Sequence, residues 1–214
     1  MNAYVTPVAG GDAVFAASPL VDFIRHNTFD RPTLVLSRDI VARNYRALKT
    51  GLGRADIHYA VKANPAREVI ETLIAEGSRF DAASRGEIEL CLSLGAQPAH
   101  ISFGNTVKRA SDIAFAHAAG ITLFAADSEM ELEKIAEHAP GAQVYIRLLV
   151  GATGADWPLS RKFGCAPERA VELMDHAVSV GLKPVGLSFH VGSQTRRSEM
   201  WRDTLDQLGG VWAE

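Results

Sequence analysis

The chain has 214 residues, of which 47% are hydrophobic and 22% charged, and 22 Lys and Arg stand against 25 Asp and Glu for a net charge of −3. These proportions belong to a globular chain and exclude a disordered, collagenous or disulfide-scaffold protein. No basic excess exists to displace counterions from nucleic acid or to hold an anionic membrane.

Only Cys91 and Cys165 occur, in no paired motif, which suits a reducing compartment. No basic leader precedes an apolar run, and no apolar stretch reaches the length of about 18 residues that a membrane span needs. A cytoplasmic protein with neither a nucleic-acid nor a membrane partner is the expectation.

Residues 1–32 carry Pro7, Gly10, Gly11, Pro19 and Pro32 and little sustained period, so a leader with a short helix over Leu20–His26 is predicted. Thr33–Leu36 reads as the first strand. Further β-rich apolar runs begin near Ile57, Arg79, His100, Ile121 and Val144, at spacings of about 21 to 23 residues, and a sixth covers Val185–Phe189. Helical spacing of apolar residues fills the intervals over Ala66–Glu76, Gly86–Leu94, Ser111–Ala119, Glu129–His138 and Glu168–Val180. Gly77, Gly95, Gly120 and Gly181 close helices, and Asp127 or Ser128 can cap the fourth. Residues 150–161 form a long Gly- and Pro-containing insertion, and an amphipathic helical pattern starts near Glu199.

Strand and helix alternating at this period mean parallel βαβ units. The runs read as apolar throughout, as in a sheet covered by helices. A doubly wound sheet and a barrel both fit; the constant period favours the barrel. Lys108-Arg109 and Arg196-Arg197 read as solvated faces.

Polar residues sit at the ends of the apolar runs: Lys62, Asp81, Arg147 and His190. Ligands of parallel α/β folds bind beyond the carboxyl ends of the strands. Singly, each has a plainer reading. Lys62 can reach solvent from a strand end, Asp81 can cap the next helix, Arg147 can serve a structural ion pair, and His190 can be an interior histidine. Four such residues at one sheet edge make those readings poor jointly. The other histidines show no metal-ligand spacing, and no metal is expected. Gly51-Leu52-Gly53 precedes a strand and is no dinucleotide fingerprint. His190-Val191-Gly192-Ser193-Gln194 follows one, so a glycine and a hydroxyl can approach a phosphate there.

Tyr59-Ala60-Val61-Lys62-Ala63-Asn64, Phe80-Asp81-Ala82-Ala83-Ser84 with Glu87, Lys162-Phe163-Gly164 and His190-Val191-Gly192-Ser193-Gln194 stand in the order seen in pyridoxal-phosphate decarboxylases of the alanine-racemase-like barrel fold. Ile101–Lys108 and Trp157–Cys165 resemble the ornithine decarboxylase branch more than diaminopimelate decarboxylase. The likeness runs from about Pro32 onward.

The resemblance implies a parallel (β/α)8 TIM-type barrel and pyridoxal 5'-phosphate held by Lys62, whose neutral amine would attack the cofactor's aldehyde. It implies that His190 stacks on the pyridine ring, that Ser193 binds the phosphate, and that Asp81, Glu87 and Arg147 complete the polar network. It further implies decarboxylation of ornithine or lysine to a diamine such as putrescine, in polyamine biosynthesis, by a cytoplasmic homodimer.

Six of the eight barrel strands are predicted. Residues 33–214 are therefore expected to be a truncated cofactor-binding barrel without the family's C-terminal β-domain, and a poor decarboxylase by themselves. The alternatives are a non-catalytic cofactor-binding or antizyme-inhibitor-like protein, against which the retained Lys62, Asp81, Arg147 and His190 speak, and a racemase, against which Trp157–Cys165 speaks.

Overall fold

The computed structural model describes residues 19–150, 162–192 and 199–212. The chain divides into two compact units, Met1–Gly53 and Arg54–Glu214.

In the first unit, helix α1 spans Pro19–His26 and α2 spans Arg38–Leu52. The Ser37 hydroxyl accepts the amide of Ile40 and caps α2, with Asp39 in the first turn where the helix dipole favours a negative charge. The sequence reading missed α2. Its buried side includes only Ala42 and Tyr45, while Leu48 and Leu52 are about half exposed, so its apolar stripe is weak. Thr33–Leu36, expected as a strand, is not one. A strand exists only through a hydrogen-bonded partner. No described strand pairs with this segment, and Leu34 is 86% exposed.

The second unit is a six-stranded sheet of β1 (His58–Ala60), β2 (Arg79–Ala82), β3 (Ile101–Phe103), β4 (Leu123–Ala126), β5 (Gln143–Arg147) and β6 (Lys183–Ser188). Every neighbouring pair is parallel, and the strands lie in chain order from β1 to β6. A doubly wound sheet reverses its order partway, whereas a barrel does not. The sequential order is that of the TIM-type fold, with six of its strands present. The crossovers carry α3 (Arg67–Ala75), α4 (Arg85–Ser93), α5 (Ala110–Ala118), α6 (Glu129–His138) and α7 (Pro167–Ser179), and α8 (Glu199–Trp212) follows β6. Gly77, Gly95, Gly120 and Gly181 end helices at φ of 80 to 94°, as expected. Ser128 stands at the N-cap of α6 but makes no capping bond. The Asp127 carboxylate accepts the Gly164 amide at 2.8 Å instead.

The expectation of strands apolar throughout holds for β4, Leu123-Phe124-Ala125-Ala126, whereas β2, β3 and β5 alternate. Phe80, Ile101, Phe103, Phe124, Val144 and Ile146 are at most 2% exposed. They form one face, and α4, α6 and α7 pack against the strands. Each such side chain contributes about 1.5–3 kcal/mol by leaving water. The residues between them, including His58, Asp81, Ser102, Tyr145 and Arg147, fall on the opposite face by the two-residue period of a strand.

Lys108, expected on a solvated face, is buried. Its ammonium pairs with Glu131 at 2.8 Å and donates to the carbonyls of Asn105 at 2.9 Å and Ala125 at 2.6 Å. Burial pushes its pKa down to about 8 against the attraction of Glu131. The lysine thereby ties the loop after β3 to β4 and α6. Removing the ammonium strands the carbonyls of Asn105 and Ala125 and leaves Glu131 with Lys134 as its ion-pair partner. Lys108→Met should therefore destabilise the fold by about 3 kcal/mol in urea-unfolding measurements, and adding Glu131→Leu should not recover the loss, because Glu131 also accepts the Lys108 amide and pairs with Lys134. Equal stability of the single variant and wild type would refute this role.

Candidate functional site

The face opposite the helices encloses a cavity of about 570 Å³. Its volume is that of a small-molecule site. Lys62, Asp81, Arg147 and His190, the four residues singled out at the strand ends, all line it. Lys62 lies in the single 3-10 turn Val61–Ala63 that ends β1, with Val61 fully buried beside it and the lysine exposed. Asp81 lies inside β2, and Arg147 is the last residue of β5. His190 follows β6 by two residues.

Asp81 is held on several sides. It accepts a hydrogen bond from the Ser102 hydroxyl at 3.0 Å. Its other contact is with Gly104. A Cβ built at that glycine would lie 1.9 Å from Asp81 Oδ1, so the carboxylate occupies the space a side chain would fill. Gly104 itself is fixed by its amide donating to Ala82 O at 2.9 Å. Burial raises the Asp81 pKa, and Glu87 adds to the rise; Ser102, Lys62 and Arg147 oppose it. Asp81 does not cap the next helix, a reading the sequence left open. Ser84 does, accepting the Glu87 amide.

Glu87 does not line the cavity. Its carboxylate accepts the Ala83 amide at 2.7 Å and closes the turn between β2 and α4. The reciprocal Ser84–Glu87 arrangement is close to a capping box. It reaches the site through charge on Asp81 and through the turn it holds.

The His190 ring accepts the Gly192 amide on Nδ1 at 2.9 Å, with Gly192 at a φ of 103°. Nδ1 is then unprotonated and the ring's proton belongs on Nε2. Burial, Arg147 and Lys62 all lower the His190 pKa and favour this neutral form. Arg147 also lies over the Phe163 ring at 5.5 Å. That ring belongs to the Lys162-Phe163-Gly164 motif, which is pinned to β5: Cys165 donates to Arg147 O at 2.9 Å, and Gly164, at a φ of 105°, sits against the Leu148 backbone where no Cβ would fit. Ser193, Arg196 and Arg197 and the insertion over 151–161 lie outside the described residues.

Four further polar residues line the cavity that the sequence analysis does not single out: His58, Ser102, Tyr145 and Ser188. Tyr145 and Ser188 stand two residues before Arg147 and His190, and His58 stands four before Lys62, so each shares a strand face with a residue already singled out, whereas Ser102 lies inside the Ile101–Lys108 segment. The Ser102 hydroxyl meets His58 Nδ1 at 3.3 Å. These residues come from β1 and β3, with β2 between them. Strands lie about 4.8 Å apart, so in a flat sheet they would stand about 10 Å apart. Their contact shows that the face is concave.

Among the described residues no group of His, Cys, Asp or Glu is placed to hold a metal ion, and no helix is long and apolar enough to cross a membrane.

Residues 38–214 match the family described as pyridoxal-dependent decarboxylase, pyridoxal binding domain. A lysine/ornithine decarboxylase of Selenomonas ruminantium is 37% identical over 174 residues, 81% of this chain and 44% of that protein. An ornithine decarboxylase of Mus pahari is 38% identical over 155 residues, 72% of this chain and 33% of that protein. The chain thus spans less than half the length of these two relatives. Among solved structures, a mutant of SrLDC in complex with PLP superposes with a TM-score of 0.85 at 34% identity, covering 91% of this chain and 50% of that one. The lysine/ornithine decarboxylase of Vibrio vulnificus complexed with putrescine gives 0.80 at 34% identity, covering 89% and 50%. The match over residues 38–214 and the identity to these decarboxylases together assign the chain to the pyridoxal-dependent decarboxylases, as a pyridoxal-binding domain of that family.

Proposed function

We propose that this chain is the cofactor-binding part of an enzyme that decarboxylates ornithine or lysine to a diamine. The observation that carries the reading is the meeting of Lys62, Asp81, Arg147 and His190 in one cavity at the carboxyl ends of parallel strands. Their chemistry fits pyridoxal phosphate: the Lys62 amine for its aldehyde, the flat neutral ring of His190 for its pyridine, and the Arg147 cation for its negative charge. When bound, the cofactor supplies an electron sink for the carbanion left as carbon dioxide departs.

The side chains divide the remaining work. The Lys62 amine is the attachment point, and its short rigid turn after β1 fixes where the cofactor sits. The His190 imidazole, oriented by the Gly192 amide, stacks as an uncharged ring. Asp81 balances the charge of Lys62 and Arg147. Glu87 holds the β2–α4 turn and thus the strand end bearing Asp81. Ser193, directly after Gly192, is proposed to bind the phosphate.

The substrate class follows the relatives. The Vibrio vulnificus enzyme was solved with putrescine and with cadaverine, and the Selenomonas ruminantium protein is named for both lysine and ornithine. We extend this to a basic amino acid as substrate, a place in polyamine synthesis, a homodimeric assembly and a cytoplasmic location for the protein.

Two outcomes are expected. Borohydride reduction of the protein loaded with pyridoxal phosphate, followed by peptide mapping, should label Lys62; label on Lys108 or Lys162 would refute the assignment. Lys108 is already committed to Glu131. In kinetic assays, kcat/KM should be higher for ornithine and lysine than for meso-diaminopimelate, whose distal end carries an extra carboxylate. The ratio between ornithine and lysine should stay within about 200-fold, because one methylene discriminates by only about 1–3 kcal/mol. Dominant turnover of diaminopimelate would overturn the substrate class.

A further inference from the structure

Beneath the four residues assigned above lies a second polar layer that the proposed reaction does not use. Ser102 Oγ is its centre. It stands 3.0 Å from Asp81 Oδ1, 3.3 Å from His58 Nδ1 and 3.4 Å from the carbonyl of Phe80. The Tyr145 side chain lines the same cavity from β5. Ser102 is 3% exposed, so the protein itself must satisfy this group.

A hydroxyl has one proton to give and two lone pairs to receive. Asp81 is the charged acceptor and the nearest, so the Ser102 proton goes to it. The His58 ring must then act as a donor, through Nδ1–H. This assignment satisfies each group and leaves the His58 lone pair on Nε2. Burial lowers the His58 pKa, which favours the neutral ring that the pattern requires. With His58 donating to it, Ser102 can give its proton to Phe80 O at 3.4 Å or to the nearer, charged Asp81 at 3.0 Å, and the carboxylate is the stronger acceptor.

We propose that Ser102, oriented by His58, is a positioning residue that fixes the Asp81 carboxylate against Lys62 and Arg147 and preserves its negative charge. The groups facing Asp81 are Lys62 after β1, Ser102 on β3, Tyr145 and Arg147 on β5, and Glu87 on α4. Of these, Ser102 is the uncharged donor in direct contact, and Gly104 supplies the room in which that contact is made. The link to catalysis rests on the proposed role of Asp81 in the cofactor site; the control of Asp81 by Ser102 does not.

The test is a pH titration of cofactor-free protein labelled with 13C at the aspartate carboxyls, with the Asp81 resonance identified by its loss in Asp81→Asn. A hydrogen bond to the charged form favours it. Ser102→Ala should therefore raise the Asp81 titration midpoint by about 1 pH unit, and Ser102→Thr should restore it. His58→Phe frees the serine proton to turn toward Phe80 O and should raise the midpoint by a smaller amount. Gly104→Ala drives the carboxylate off the hydroxyl while leaving Ser102, His58 and Tyr145 unchanged. It should also raise the midpoint, which provides an independent reading should Ser102→Ala fail to fold.

A folded Ser102→Ala or Gly104→Ala protein with the wild-type midpoint overturns the proposal, even if its melting temperature has fallen. A raised midpoint supports it. Because no cofactor is present, a raised midpoint in a protein that binds no pyridoxal phosphate would leave the Ser102 assignment standing and refute the reading of the site.

Discussion

A carboxylate withdrawn from water must be hydrogen-bonded, paired or protonated, and Asp81 is where that demand falls in this fold. It projects from the middle of a parallel strand into a concave cavity. There it meets the hydroxyl of Ser102 and the space left by the missing side chain of Gly104. The cations of Lys62 and Arg147 oppose the cost of its burial. The neighbouring site residues are arranged around that charge. The same two cations favour the neutral state of His190, and the carboxylate of Glu87 secures the turn that begins one residue beyond the end of β2.

The alternation of the strands makes this arrangement available. One face of the sheet carries Phe80, Ile101, Phe103, Phe124, Val144 and Ile146, all but completely buried. That face anchors the sheet, so the intervening positions are free to carry polar groups. Parallel register then sets Asp81 beside Ser102 and Arg147 beside Ser188. Curvature brings His58 to Ser102 across β2. The loops add fine positioning: Lys108 ties the segment after Gly104 to β4 and α6, and Gly164 seats its motif on the Leu148 backbone near Arg147.

Much of this was legible in the sequence because it is local. The βαβ period yields six strands, and helix limits fall within about one residue of the expected ones at most ends, since glycines mark where helices stop. The four strand-end residues could be named because a charged group after an apolar run is costly without a purpose. What was hidden depends on partners distant in the chain. Thr33–Leu36 has a strand-like composition but no described strand to pair with. Lys108 looks like half of a surface charge pair until Glu131, 23 residues away, is brought beside it. The apolar reading of the strands concealed Ser102 and Tyr145, because a serine or tyrosine within an apolar run does not interrupt it. His58 was considered only as a metal ligand.

The most direct measurement is a crystal structure of this protein grown with pyridoxal phosphate. Continuous density from Lys62 Nζ to the cofactor is expected, with the pyridine ring against His190 and Asp81 still hydrogen-bonded to Ser102. Cofactor density joined to another lysine, or a cavity between β1 and β6 that remains empty at saturating cofactor, would contradict the assignment of this concave face as the site.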